Sequence, residues 1–154
     1  MVRHLLLPVD GSPQSVEALR FAASEWEGTR VTLLHVIDPV NGSRASAVPS
    51  GSEEWYDDAR KRAESLFEEA RAVLPPTMTV GTRIEVGRPA ATILDVAREG
   101  ETDHLVVGSH GREGISRILL GSVAEAVARR SPIPVTIARR SVDDAEGTDG
   151  VSSA

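Results

Sequence analysis

The sequence predicts an α/β fold, a doubly wound parallel sheet of five strands, on three observations. Short apolar runs alternate with amphipathic stretches along the chain. Most of those runs are near-continuous Leu, Val and Ile, as in strands buried on both faces of a parallel sheet. The residues with chemical aptitude (Asp10-Gly11, Asp38 and the Gly108–Gly111 turn) fall at the carboxyl ends of strands, where such sheets bind ligands.

Strands are expected at His4–Val9, Val31–Ile37, Thr79–Val86, His104–Gly108 and Pro134–Ala138. The third is the most polar, with Arg83 and Glu85, and suits a sheet edge. Helical periodicity fills the gaps. Val16, Leu19, Ala23 and Trp26 share a face of the first helix, which Ser12 caps and Pro13 opens. Trp55, Ala59, Ala63, Leu66, Ala70 and Val73 mark a long second helix, stopped by Pro75-Pro76. Pro89 opens a third, with Ile93, Leu94 and Ala97 inward and Gly100 at its end. Val123, Val127 and Ala128 define a fourth, ending before Pro132. The alternation implies right-handed crossovers with helices on both faces.

Two segments carry no periodicity. Asp38–Ser52 is a long small-residue loop leaving the ligand-facing edge, either a lid or simply mobile. Ser141–Ala154 is acidic and Gly/Ser-rich, so residues 1–140 read as one domain and 141–154 as a disordered tail.

At 154 residues the chain can bury a real core. Cysteine is absent, which excludes disulfides and thiolate-ligated metals. The first apolar run is too short for a signal peptide and no run has membrane-spanning length, so a soluble cytoplasmic protein is expected. A net charge of −6 argues against a general nucleic-acid binder. Lys61 is the only lysine among 17 basic residues, a bias silent about mechanism.

The most informative stretch is Gly108-x-x-Gly111-x9-Gly121-Ser122. Glycine lets a backbone approach phosphate closely and can adopt positive φ. A helix opening at Gly121-Ser122 would aim unpaired N–H groups and its positive dipole end at an anion. Asp10, ending the first strand, can accept hydrogen bonds from ribose hydroxyls or lie near an adenine edge; it also suits the turn before Gly11. Arg112 could pair with terminal phosphates, with Arg117 and Arg88 weaker candidates. His110 lies in the same loop, whereas His35, inside an apolar strand, reads as a packed residue. The four histidines show no metal-ligand spacing. There is no GxxxxGK[ST] and no GxSxG, so nothing positions an attacking nucleophile. No metal-binding or catalytic residue is assigned.

These motifs resemble the universal stress protein family, in particular its ATP-binding branch. The resemblance covers about residues 3 to 139. It rests on the glycine pattern, Pro8-Val9-Asp10-Gly11-Ser12, Leu33-Leu34-His35-Val36-Ile37-Asp38, Val86-Gly87-Arg88-Pro89, Leu119-Leu120-Gly121-Ser122-Val123 and Ser131-Pro132-Ile133-Pro134-Val135. It implies a flavodoxin-like, adenine nucleotide alpha-hydrolase-like sheet of strand order 3-2-1-4-5. It further implies ATP, with Mg²⁺ alongside, bound by Pro8, Val9, Asp10, Val36, Val107, Gly108, His110, Gly111, Arg112, Gly121, Ser122 and Val123. Val36 would offer only backbone groups to adenine. A homodimer through the last strand, residues 133–139, is implied too, serving a stress-response or signalling module.

Three rivals stay open: a slow ATPase or nucleotide-transfer enzyme, a flavin-binding electron carrier, and a nucleotide-free interaction module. The chain has only two Trp, one Tyr and two Phe, none in the loops at strand ends, which disfavours the flavin.

Overall fold

The computed structural model describes residues 1–40, 52–109 and 120–139. Its elements are β1 (His4–Pro8), α1 (Pro13–Glu25), β2 (Arg30–Ile37), α2 (Glu53–Val73), β3 (Thr79–Val86), α3 (Pro89–Arg98), β4 (His104–Gly108), α4 (Ser122–Arg130) and β5 (Val135–Ala138). All strand pairs are parallel and the order is β3-β2-β1-β4-β5, as expected. Strand boundaries move by at most a residue. β5 starts after Pro134, whose ring leaves no donor for the ladder, and β1 ends at Pro8 although the Val9 N–H still reaches the Leu34 carbonyl at 2.8 Å.

Alternation of side chains sorts the strands into two cores. Leu5, Leu7, Val31, Leu33 and Val106 point towards α1 and α2 and pack on Ala18, Leu19, Ala22, Ala63, Phe67 and Ala70. Leu6, Leu34, Leu105 and Val107 point the other way, towards Ile93, Val96 and Ala97 of α3 and Ala124 and Val127 of α4. Both faces of the central strands are thereby covered, which explains their unbroken apolar runs. Edge strand β3 alternates: Val80 and Ile84 face the core, while Arg83 binds Glu99, just beyond α3, at 2.7 Å and Glu85 at 2.8 Å. That pairing holds the exposed Glu99 carboxyl below the usual glutamate range.

The helix faces differ in part from the periodicity reading. In α1 the buried stripe is Ser15, Ala18, Leu19 and Ala22, with Val16, Ala23 and Trp26 only half-buried. Small side chains face inward there because the helix lies close to the sheet. In α2, Phe67 replaces Leu66 on the inner face, and in α4 Ala124 is buried while Ala128 is exposed. Ala23 to Ala22, Leu66 to Phe67 and Val123 to Ala124 are each a shift of one residue, about 100° around the helix, between two apolar neighbours. The caps agree: the Ser12 hydroxyl accepts from Ser15 N–H at 3.2 Å, and Gly100 takes a left-handed φ of 84° just past α3.

Candidate functional site

A cavity of about 390 Å³ opens at the carboxyl ends of β1, β2 and β4. The chain runs outward from β1 to β3 and then crosses back to β4, and α1 and α4 lie on opposite faces of the sheet. The crevice between them is the switch point of the doubly wound sheet.

Of the residues implied from sequence, Pro8, Val9, Asp10, Val36, Val107, Gly108, Gly121, Ser122 and Val123 all line this one cavity. His110, Gly111, Arg112 and Arg117, like the loop 41–51 and the segment 140–154, lie outside the described residues. Arg88 is exposed at the N-cap of α3 and does not line the cavity. The walls also include Leu34, His35, Ile93 and Ala124, with Ser12, Gln14 and Ser15 from the start of α1 and Pro89 from the start of α3. Sequence reasoning treated Ser12 and Pro89 only as helix openers. Their place in the cavity follows from helices that begin where strands end.

The amino ends of α1, α3 and α4 all border the cavity. Their electrostatics differ. Ser12 caps α1 with its own hydroxyl, and Pro89 leaves the start of α3 short of one donor. At α4 the N-cap is Gly121, which has no side chain to satisfy the first N–H groups. Together with the macrodipole, that leaves the start of α4 able to attract an anion, although Glu125 stands in its first turn.

Asp10 is the only acidic side chain among the described lining residues. Its Oδ1 accepts from Ser12 N–H at 2.9 Å, closing a turn through Gly11, whose φ is 81°. A Cβ on Gly11 would also stand 2.8 Å from Leu66 Cδ2. The His35 imidazole, expected to be merely packed, is half-buried and its Nδ1 donates to the Val9 carbonyl at 2.8 Å.

Two glycines act for reasons other than positive φ. Gly121 has φ −64° and ψ 159°, which any residue adopts, so only space argues for glycine there. Gly108 also lacks a positive φ, and a Cβ on it would overlap the Gln14 backbone carbonyl. Glycine at 108 lets the first turn of α1 lie against the end of β4, whatever ligand is bound.

The implied Mg²⁺ fits this chemistry in one way. Magnesium keeps several waters and is held by one or two carboxylates plus substrate phosphates. Asp10 offers one carboxylate oxygen beyond its turn bond, and no group of three or more His, Asp or Glu able to hold a metal occurs among the described residues. The ion would therefore come with phosphates rather than occupy a cage built by the described residues.

Away from the cavity, His104 on β4 lies with its Nε2 2.6 Å from Thr136 Oγ1 and its ring centroid 4.9 Å from that of Trp26. Burial lowers its pKa, against a smaller opposing pull from Asp103. No described helix is long and apolar enough to cross a membrane.

A model of the universal stress protein family matches residues 1–139. The chain is 30% identical over 150 residues to universal stress protein MJ0531 of Methanocaldococcus jannaschii, covering 91% of this chain and 84% of that protein. Among solved structures, that of MJ0577 superposes with a TM-score of 0.69 at 29% identity, covering 92% of this chain and 99% of that one. A universal stress protein solved in complex with cAMP superposes with a TM-score of 0.60 at 25% identity, covering 91% and 99%.

Proposed function

We propose that this chain, which belongs to the universal stress protein family, binds ATP together with Mg²⁺ and acts as a nucleotide-dependent stress-response or signalling module in the cytoplasm. One observation carries this reading: a single cavity joins the uncapped amino end of α4 to an apolar chamber with Asp10 at its rim. Leu34, Val36, Ile93 and Val107 suit a flat base, Asp10 suits ribose hydroxyls, and the start of α4 suits phosphate. The cAMP complex of a family member adds support for an adenine nucleotide as the ligand class.

Binding without turnover is the reading for chemistry. The sequence contains no phosphate-loop lysine motif and no GxSxG nucleophile motif. Assembly is read as a homodimer. β5 ends the sheet order, so one side of its backbone faces no described strand and can pair with a second copy.

The deciding experiment is direct. Freshly purified protein is denatured and its supernatant resolved by ion exchange, and nucleotide-free protein is titrated with ATP in a calorimeter with and without Mg²⁺. Adenine nucleotide near one per chain and a saturable ATP isotherm are expected. Protein that carries no nucleotide and takes up none would leave the interaction-module reading standing instead.

A further inference from the structure

Among the polar contacts of the cavity lining, the hydrogen bond from His35 to the Val9 carbonyl links β2 to the segment after β1 and is not used by the nucleotide reading. A carbonyl oxygen only accepts, so at 2.8 Å Nδ1 carries the proton. Val9 lies one residue beyond β1, and its own N–H donates to the Leu34 carbonyl, also at 2.8 Å. Val9 is therefore fastened to β2 twice, through its N–H by the strand backbone and through its carbonyl by the His35 ring.

That carbonyl belongs to the peptide that leads into Asp10. Beyond it the chain turns sharply through Gly11, at φ 81°, and enters α1 at Ser12. Asp10 is exposed. Apart from the His35 bond to the preceding carbonyl, it is held by its Asx turn onto Ser12 and by its own N–H, which donates to the Ser15 hydroxyl at 3.4 Å. Both bonds lie within the same chain segment and neither reaches β2. His35 also immediately precedes Val36 on β2, so one residue ties the Asp10 wall of the cavity to the Val36 wall.

We infer that His35 is a positioning residue for nucleoside recognition: it locks the Val9–Asp10 peptide to β2 so that Asp10 and Val36 present a fixed pair of contacts. The inference rests on the nucleotide reading and adds a residue that touches the protein backbone rather than the phosphates. It separates the two ends of the ligand. Loss of the lock loosens the nucleoside end and leaves the start of α4 as it was.

The test compares adenosine with inorganic tripolyphosphate, by calorimetry well below the melting temperature. His35→Leu keeps an apolar bulk but removes the donor. It should weaken adenosine about tenfold, within the range that one lost hydrogen bond produces. Tripolyphosphate affinity should stay within about twofold of the parent, because its binding surface at α4 is untouched. His35→Asn places an amide N–H as many bonds from Cβ as Nδ1 and should restore most of the adenosine affinity. His35→Gln carries its donor one bond further out and should not.

Equal weakening of both ligands, unchanged adenosine binding in His35→Leu, or no difference between the Asn and Gln variants would overturn the positioning role. A parent protein that binds tripolyphosphate but no adenosine would instead overturn the nucleotide reading and this inference with it. Should His35→Leu not fold, nitrogen NMR of the parent ring decides: the Nδ1–H form, perturbed by adenosine and not by tripolyphosphate, is expected. An Nε2–H form refutes the lock.

Discussion

Valine in place of Gly121 should nearly abolish ATP binding while leaving the protein folded. The backbone at 121 is extended, at φ −64° and ψ 159°, so valine adopts it without strain. As an N-cap, valine is poorer than glycine, and the change should cost about 1 kcal/mol of stability. Binding should suffer far more. The branched side chain would stand in front of the first turn of α4 and deny phosphate oxygens about two of its N–H groups. Hydrogen bonds to charged groups contribute about 1.5–3 kcal/mol each, so their loss predicts about 3–6 kcal/mol. At about 1.4 kcal/mol per decade, affinity falls roughly a hundredfold to ten-thousandfold. Ser122→Ala keeps every N–H and removes one hydroxyl, for roughly a tenfold to hundredfold loss of ATP and none of adenosine. Asp10→Ala should weaken both ligands. Asp10→Asn keeps the oxygen that closes the turn onto Ser12 and so isolates the effect of charge. Calorimetry with ATP and adenosine, on variants checked by circular dichroism, separates these outcomes. A folded Gly121→Val protein that binds ATP as tightly as its parent refutes the phosphate site at α4.

Gly108→Ala should destabilise the fold by about 1–3 kcal/mol, as overpacking does, because the intruding methyl meets the Gln14 backbone and not a flexible side chain. A urea midpoint unchanged from the parent would show that α1 shifts freely. The Pro134 and Ala138 carbonyls face β4, so by alternation Val135 and Ile137 turn their backbone groups outward. Ile137→Pro should therefore convert the proposed dimer to a monomer by light scattering, and a folded variant that stays dimeric removes β5 from the interface. Truncation after Arg140 should leave melting temperature and ATP affinity nearly unchanged, and a clear fall in either would mean that 141–154 docks on the domain. The folded-state pKa of His104 lies below its ordinary value, so on acidification the unfolded chain takes up the proton first. Stability should decline from the usual imidazole range down to the folded pKa, and His104→Gln should flatten that decline in thermal melts; an unaltered slope refutes the assignment.

The architecture was legible because its signals are long and redundant. Five apolar runs and four periodic stretches leave little freedom of order, and two strands, Thr79–Val86 and His104–Gly108, match residue for residue. Helix faces were less legible. Ala18, Ala22 and Ala124 are buried because their helices approach closely, yet alanine carries too weak a hydrophobic signal to mark a face beside Val16 or Val123. In the candidate site, the end of β1 and the start of α4 were readable from Asp10-Gly11, whose turn needs a positive φ, and from Gly121-Ser122, small residues that suit a helix start. His35 was not. A histidine in an apolar run reads as packing, and only the distance from Nδ1 to a carbonyl on the adjacent chain segment reveals its bond.

Gly108 shows how fold and site constrain each other here. β1 and β4 are neighbours, the helices α1 and α4 lie on opposite faces, and the crevice between Asp10 and Gly108 lies at that divergence. The first turn of α1 lies against the end of β4, an approach that a Cβ at position 108 would obstruct. That approach brings Ser12, Gln14 and Ser15 into the cavity lining, so the amino end of α1 joins that of α4 around one space. A larger residue at 108 would therefore disturb the cavity lining by moving α1, even without touching a ligand. Loss of ATP affinity in a Gly108 variant is not by itself evidence of phosphate contact there. The equivalent loss at Gly121 is, because its backbone is unstrained and it sits at the uncapped N-terminal end of α4.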